Sequence, residues 1–303
     1  MTAPNVADVT VELTGHVAVV EMHRPPNNFF DTALIRSLAD AYERLDDDIE
    51  CRAIVLCAEG KHFCAGADFS RAADERPSPG ELYAQAIRLF RGRKPVVAAV
   101  QGSAIGGGLG LALSADFRVA APSSKFAANF SRLGFHPGFG ITATLPRVVG
   151  EQKALEWMLT GERFGGELGY AAGLFDELAA DGDVRSAAIR FAERIAASAP
   201  LALTSIRATM RAGLAEAVAE ATARELEEQT RLQATADFRE GVAAAAQRRA
   251  PIFTGRVEPD RPPKPPRGHV TREDLERFGD EDAIRRASND EWLRNQAPPH
   301  HGR

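Results

Sequence analysis

The sequences HFCAGAD at positions 62–68 and GSAIGGG at positions 102–108 decide how this chain folds. Each follows an apolar run typical of a buried strand, at 53–57 and 95–100. Their small residues leave main-chain N–H groups open to a ligand, and the second turn also opens a helix whose dipole adds positive potential. Two N–H groups that converge on one oxygen form an oxyanion hole, which stabilises negative charge developing on a carbonyl. We therefore predict that the two turns form a site for a carbonyl oxygen.

Strands and helices alternate around these turns. Residues 17–20 have the pattern of a strand, and Asp31 is placed to cap an amphipathic helix that follows a proline-containing turn. From residue 151 onward the apolar spacing becomes helical, and 200–249 contains few helix breakers. The pattern indicates an α/β protein with a largely helical C-terminal half.

Composition excludes several classes of protein. The 303 residues are 44% hydrophobic with a formal net charge of −5, which allows a large core and provides no basic field for nucleic acid. The three cysteines, Cys51, Cys57 and Cys64, lack the CxxC spacing of a zinc or redox site, so no metal is predicted. No apolar run is long enough to span a membrane and the N-terminus does not resemble a signal peptide. The predicted location is the cytoplasm.

Further motifs accompany the two turns in a fixed order. They are RPPNN at 24–28, KPV at 94–96, ADFRVA at 115–120, the glycine-rich segment 134–138 and LPRVVG at 145–150. Together with the turns, this series resembles the crotonase family, also called the enoyl-CoA hydratase/isomerase superfamily, from about residue 11 to residue 253. A lone GGG would be weak support, whereas the ordered set is specific.

The resemblance implies an α/β fold of the ClpP/crotonase class, a spiral of ββα units with a helical oligomerisation region. The expected divisions are a spiral core at 1–200, a helical region at 201–255 that builds trimers, often paired into hexamers, and a Pro-rich, charged tail at 256–303. The resemblance also implies a role in fatty-acid or aromatic-acid metabolism.

The same resemblance implies an acyl-CoA thioester as the substrate, with no separate cofactor. It places the N–H groups of Ala67 and Gly107 at the thioester oxygen and the backbone of Ala65 beside the adenine. Arg24 and Arg248 are expected to contact the CoA phosphates, because a guanidinium suits phosphate geometry. The other residues expected beside the substrate are Asp68, Gly106 and Phe130.

Two catalytic positions of the family are changed in this chain. Hydratases of the family use two glutamates, because water addition needs a base for the water and an acid for the α-carbon. Gly110 and Phe130 stand at those positions, which disfavours standard hydration and weakens simple isomerisation. His136 is the candidate acid or base because histidine titrates near neutrality, and Asn129 or Ser131 could orient a water.

Aromatic residues surround the changed positions. Five phenylalanines predict a dry, apolar acyl chamber: Phe29, Phe30, Phe130, Phe135 and Phe139. We predict a lyase or isomerase that stabilises a thioester enolate with an unidentified base. Two alternatives stay open, a non-catalytic acyl-CoA-binding subunit and a hydrolase or decarboxylase of the same fold that uses His136.

Overall fold

The computed structural model describes residues 8–68 and 79–256. The strands in these ranges are β1 (Val9–Thr14), β2 (Val17–Met22), β3 (Ala53–Ala58), β4 (Val96–Val100), β5 (Ser103–Ile105), β6 (Phe117–Ala120), β7 (Lys125–Ala127), β8 (Phe164–Gly165) and β9 (Glu177–Leu178). The helices are α1 (Thr32–Asp47), α2 (Pro79–Arg91), α3 (Gly107–Ser114), α4 (Ile141–Val149), α5 (Glu151–Thr160), α6 (Gly166–Ala171), α7 (Val184–Ala196), α8 (Pro200–Met210), α9 (Leu214–Gln233) and α10 (Ala236–Ala246). The predicted tail lies outside the described residues except for Arg256.

The main sheet has the strand order β1-β2-β3-β4-β6-β9 and is parallel except where β1 pairs with β2. Strand β3 is buried along its whole length, and its side chains alternate between two cores. Ile54 and Leu56 join the larger core with α1, whereas Val55 and Cys57 pack with α7. The continuous apolar run of β3 follows from this burial on both faces, as in other parallel sheets.

A second sheet has the order β5-β7-β8. The chain passes from β4 of the main sheet to β5 of this sheet through Gly102, which has a φ of +62°. A Cβ at Gly102 would collide with the carbonyl oxygen of Lys61, so both the backbone conformation and the close approach require glycine. This crossing directs the second glycine turn towards the first.

The C-terminal region is helical, as the sequence predicts, and consists of α8, α9 and α10. The long helix-forming stretch is broken at Gly213, which has a φ of +76°, and again at Thr235. The Thr235 hydroxyl accepts the N–H of Phe238 at 3.2 Å and so caps α10. Helix α9 packs on α2 and α4. It therefore lies on the side of the molecule that carries the glycine turns.

Asp116 joins this helical region to the sheet. Its carboxylate accepts the N–H of Val96 at 2.8 Å and pairs with Arg207 at 2.8 Å and Arg211 at 2.6 Å. Because both arginines belong to α8 or its C-terminal end and are largely buried, Asp116 fixes the helix on the end of β4.

Candidate active site

The two glycine turns lie side by side at the carboxyl ends of the parallel neighbours β3 and β4. The Cys64 N–H donates to the Ser103 carbonyl at 3.0 Å, and the Ile105 N–H donates to the Cys64 carbonyl at 3.0 Å. A Cβ at Gly66 would stand 2.8 Å from the Ile105 carbonyl oxygen and 3.4 Å from the nitrogen of Gly107. The geometry agrees with the expectation that the turns meet.

The main-chain N–H groups of Ala67 and Gly107 remain available at this junction. Within the described residues, neither donates a hydrogen bond to the protein. The neighbouring N–H groups of Ala65 and Gly106 instead donate to main-chain carbonyls at 2.9 and 2.8 Å. Gly107 is the first residue of α3, so its N–H lies at the positive end of the helix dipole. Both Ala67 and Gly107 line one cavity, where an oxygen acceptor would satisfy them.

The cavity has a volume of about 710 Å³, a size suited to a small-molecule ligand. All five phenylalanines that predict an apolar chamber line it, which confirms that they surround one space, and Phe238 adds a sixth ring. The ring of Phe30 packs against Phe139 at 5.2 Å between centroids, and Phe130 packs against Phe135 at 5.4 Å. The interior is therefore largely aromatic.

Phe30 couples the first turn to the second. Its N–H donates to the carbonyl of Gly66 at 3.0 Å, while its ring stands against Gly107. A Cβ at Gly107 would collide with the edge of that ring. The residue that keeps this N–H accessible must accordingly be glycine.

Phe139 occupies the space that a side chain at position 110 would need. A Cβ at Gly110 would lie 2.8 Å from the Cβ of Phe139. Phe130 is buried and lines the cavity. Of the described residues, no glutamate lines the cavity, and its carboxylates are those of Asp31 and Asp68.

Charged groups at the cavity include Arg24 and Asp31, which hold each other. Asp31 accepts the Leu34 N–H at 2.9 Å and caps α1 as predicted, and it pairs with Arg24 at 2.9 Å. Arg24 also pairs with Asp8 at 2.6 Å, so its charge is shared between two carboxylates. Arg163, which the sequence reasoning missed, is exposed and lines the same cavity.

The remaining predicted site residues fall into two groups. Ala65, Gly106 and Asp68 line the cavity together with Ala67 and Gly107. His136 and Arg248 do not line it. The His136 Nδ1 lies 2.9 Å from the carbonyl oxygen of Pro137, and Arg248 is exposed beyond the end of α10. The geometry thus gives no support to His136 as the acid or base.

Helices α2 and α9 contribute polar groups that sequence reasoning missed. The Tyr83 hydroxyl donates to Gln229 Oε1 at 2.7 Å, and Gln229 Nε2 donates to the His136 carbonyl at 3.0 Å. Tyr83, Gln229 and Gln233 all line the cavity. Burial raises the pKa of Tyr83, so the hydroxyl stays protonated. The available signal was the spacing of four between Glu225, Gln229 and Gln233, which puts three polar groups on one face of α9.

Glu225 holds the turn that carries Phe139. Its carboxylate accepts the N–H of Gly140 at 2.8 Å, and the N–H and hydroxyl of Thr142 at 3.1 and 2.6 Å. These N–H groups open α4, so a buried carboxylate from α9 caps another helix. The position of Phe139 in the cavity depends on this contact.

The three thiols are buried, and burial raises their pKa values, to about 11 for Cys51 and about 12 for Cys57 and Cys64. A nucleophilic role for Cys64 is therefore disfavoured. Across residues 8–68 and 79–256, no three His, Cys, Asp or Glu side chains come together in a way that could hold a metal ion. Over the same ranges, no helix has the length and apolarity required to cross a bilayer.

Comparison with known proteins agrees with the resemblance seen in the motifs. The family model for enoyl-CoA hydratase/isomerase matches residues 12–256. The enoyl-CoA hydratase EchA19 of Mycobacterium tuberculosis is 32% identical over 262 residues, covering 82% of this chain and 97% of that protein. The (E)-benzylidenesuccinyl-CoA hydratase of Thauera aromatica is 33% identical over 261 residues, covering 82% and 99%.

Solved structures extend the agreement to the fold. An enoyl-CoA hydratase/isomerase from Pseudoalteromonas atlantica is 30% identical and superposes with a TM-score of 0.74, covering 82% of this chain and all (100%) of that chain. The overall fold is thus shared with this solved relative. Since both the family model and the fold span most of its length, the chain belongs to the enoyl-CoA hydratase/isomerase family and has the crotonase-like fold.

Proposed function

We propose that this chain is an enzyme that binds an acyl-CoA thioester and stabilises its enolate between the N–H groups of Ala67 and Gly107. The observation that carries the proposal is that these two donors line one cavity and have no protein acceptor in the described part of the chain. When a proton leaves the α-carbon, negative charge moves to the thioester oxygen, and two fixed donors about 3 Å away stabilise it. The relatives named above are CoA-thioester hydratases, which supports the same substrate class.

Asp68 is the proposed base. It follows Ala67 directly and lines the cavity. With a 3-enoyl thioester, a carboxylate at Asp68 can take the α-proton to give a dienolate and return that proton to the γ-carbon, which moves the double bond from C3 to C2 as in an isomerase.

Water addition is the reaction that the cavity supports least. Hydration needs one group to activate water and another to protonate the α-carbon. Phe139 fills the space beside Gly110, and Phe130 presents an aromatic ring at the second family position. We therefore propose proton transfer at the α-carbon in preference to hydration.

The test removes one donor without removing a protein hydrogen bond. Ala67→Pro deletes the N–H that lacks a protein acceptor within the described ranges, whereas Ala67→Gly retains it. The assay is uptake of deuterium from D2O at the α-carbon of 3-octenoyl-CoA, followed by mass spectrometry. Loss of one oxyanion donor is expected to slow uptake by about 100- to 1,000-fold. Ala67→Gly should stay within a few-fold of the wild type.

Three results would contradict the proposal: no deuterium uptake by the wild-type protein, equal rates in both Ala67 variants, or full activity in Asp68→Asn, which would remove Asp68 as the base. Circular dichroism of each variant shows whether the fold is retained.

A non-catalytic acyl-CoA-binding subunit is the second candidate function. It is favoured by the absence of glutamate at positions 110 and 130 and by the aromatic rings of Phe130 and Phe139 there. This candidate predicts tight binding of octanoyl-CoA with no deuterium uptake and no change in any thioester of a panel that includes crotonyl-CoA. The hydrolase or decarboxylase alternative that uses His136 has no comparable support, since His136 does not line the cavity.

We also propose that the helical region at 201–255 mediates assembly into trimers or hexamers. Large apolar side chains are exposed on α8: Leu201, Ile206 and Met210. Exposed large apolar side chains that lie on one helix favour a protein interface there. Light scattering of Ile206→Glu should show a shift towards the monomer, and an unchanged mass would count against this interface.

A further inference from the structure

Three uncharged polar side chains of the cavity, which we call the polar cluster, have no part in the proposed oxyanion chemistry. Tyr83 on α2 and Gln229 and Gln233 on α9 line the cavity among apolar neighbours. Tyr83 and Gln229 are largely buried, at 7% and 4% exposed. Buried hydroxyl and amide groups cost free energy unless they form hydrogen bonds, and Tyr83 and Gln229 meet part of this requirement by bonding to each other.

Two aromatic rings separate the polar cluster from the two glycine turns. The Phe30 ring stands against Gly107, and the Phe139 ring follows at 5.2 Å. Gly138, next to Phe139, packs directly on the Tyr83 hydroxyl and on the Gln229 amide. An acyl chain whose thioester oxygen lies at Gly107 would pass these rings before it reached Tyr83.

The hydrogen bonds already made show what a ligand would find there. The Tyr83 hydroxyl donates to Gln229 Oε1 and accepts the N–H of Phe139, and one Gln229 N–H donates to the His136 carbonyl. An amide nitrogen carries two N–H groups, so Gln229 keeps one donor. The Gln233 amide has no hydrogen bond to the protein within the described residues. The unused capacity therefore includes N–H donors, which suit an oxygen acceptor on the ligand.

The charge around Tyr83 favours an uncharged acceptor. Burial is the largest cause of the raised pKa of Tyr83. The negative charge of Glu225 raises this pKa further. A ligand carboxylate at this place would meet a like charge in a chamber lined by phenylalanines. A hydroxyl or ketone oxygen would accept the same hydrogen bonds without that penalty.

We infer that Tyr83, Gln229 and Gln233 form a specificity subsite for an acyl group that carries a hydroxyl or ketone oxygen distant from the thioester. The inference rests on the proposed function, because the thioester must be anchored at Ala67 and Gly107 for the acyl chain to reach Tyr83. It makes the preferred substrate class an oxygenated acyl-CoA rather than a plain alkyl acyl-CoA.

The experiment measures dissociation constants by calorimetry for octanoyl-CoA and for its keto and hydroxy analogues substituted at carbons 4 to 8. The wild-type protein is expected to bind at least one analogue about 3- to 10-fold more tightly than octanoyl-CoA, the gain expected from one net hydrogen bond. Gln233→Met, which has a similar length and no donor, should abolish that preference, so that the affinities for the analogue and for octanoyl-CoA differ by less than about 2-fold, less than one net hydrogen bond.

Tyr83→Phe is the second variant and should also abolish the preference, because the Gln229 amide loses the hydroxyl that orients it. Gln247→Met, at an exposed position beyond α10, is the matched control and should keep it. Equal binding of all analogues and octanoyl-CoA, or a preference that survives in Gln233→Met, overturns the subsite alone. A wild-type protein that binds none of these thioesters overturns the proposed function and the subsite together.

Discussion

Glu225→Gln tests whether a carboxylate on α9 positions the turn that shapes the cavity. Glu225 is fully buried, with 0% exposure, and its two oxygens accept the N–H groups of Gly140 and Thr142 at 2.8 and 3.1 Å. A glutamine has the same shape but only one oxygen, so one N–H of the α4 N-terminus must face an amide NH2. The Thr142 hydroxyl can rotate to follow the remaining acceptor.

The expected cost follows from the number of donors left without an acceptor. One buried unpaired N–H costs about 1 to 3 kcal/mol, which is the expected loss in unfolding free energy for Glu225→Gln. Glu225→Ala leaves both N–H groups unpaired, so about 2 to 6 kcal/mol is expected. The neighbouring Gly138 and Phe139 line the cavity, so octanoyl-CoA should also bind more weakly in both variants.

Urea unfolding at pH 7 measures the loss, and Glu220→Gln is the matched control because Glu220 is exposed on the same helix. The control should change the unfolding free energy by less than about 0.5 kcal/mol. If Glu225→Gln is as stable as the control, Glu225 does not cap α4 and the turn is held by packing. If stability falls but thioester affinity is unchanged, the turn does not shape the binding cavity.

Three further predictions concern a helix, an ion pair and a thiol. Gly110→Ala should lower the unfolding free energy by about 1 to 3 kcal/mol, since the new Cβ meets Phe139 at 2.8 Å, although the change normally stabilises a helix interior. Arg249 holds the pKa of Glu240 at about 2, below the unfolded value of 4.5, so its stabilisation is present above pH 4.5 and lost towards pH 2. Glu240→Gln should make the urea unfolding midpoint change less with pH between pH 4.5 and about pH 2. Cys64, whose pKa burial raises to about 12, should react with a thiol reagent at pH 8 only after unfolding, and reaction in the native protein would contradict its burial.

Local signals in the sequence were enough to place the elements that carry the glycine turns. Strand β3 coincides with an unbroken apolar run of the sequence, and Asp31 caps α1 through the Leu34 N–H as predicted. These features depend on neighbours within a few residues, such as a cap bonding to the third residue after it. The aromatic cavity could also be predicted, because its phenylalanines cluster near the changed family positions.

Long-range contacts account for what the sequence did not predict. Tyr83 and Gln229 are separated by 146 residues in the chain and meet only because α9 packs on α2. Sequence reasoning chose His136 by its intrinsic pKa, whereas the structure turns its Nδ1 to the Pro137 carbonyl and leaves the residue outside the cavity lining. A side chain's chemistry can be read from its type, but its direction is decided by distant packing.

We propose that main-chain atoms bind the thioester and that side-chain atoms supply the acid and the base. The proposed oxyanion donors belong to the main chain, so they depend on the path of the two turns and on small residues such as Gly107. The acid and base belong to side chains, which single substitutions replace. On this proposal, a chain can keep the thioester site while residues at positions such as 110 and 130 determine the reaction. Phe139 makes the change at position 110 hard to reverse, because a glutamate there needs the space that the Phe139 ring fills.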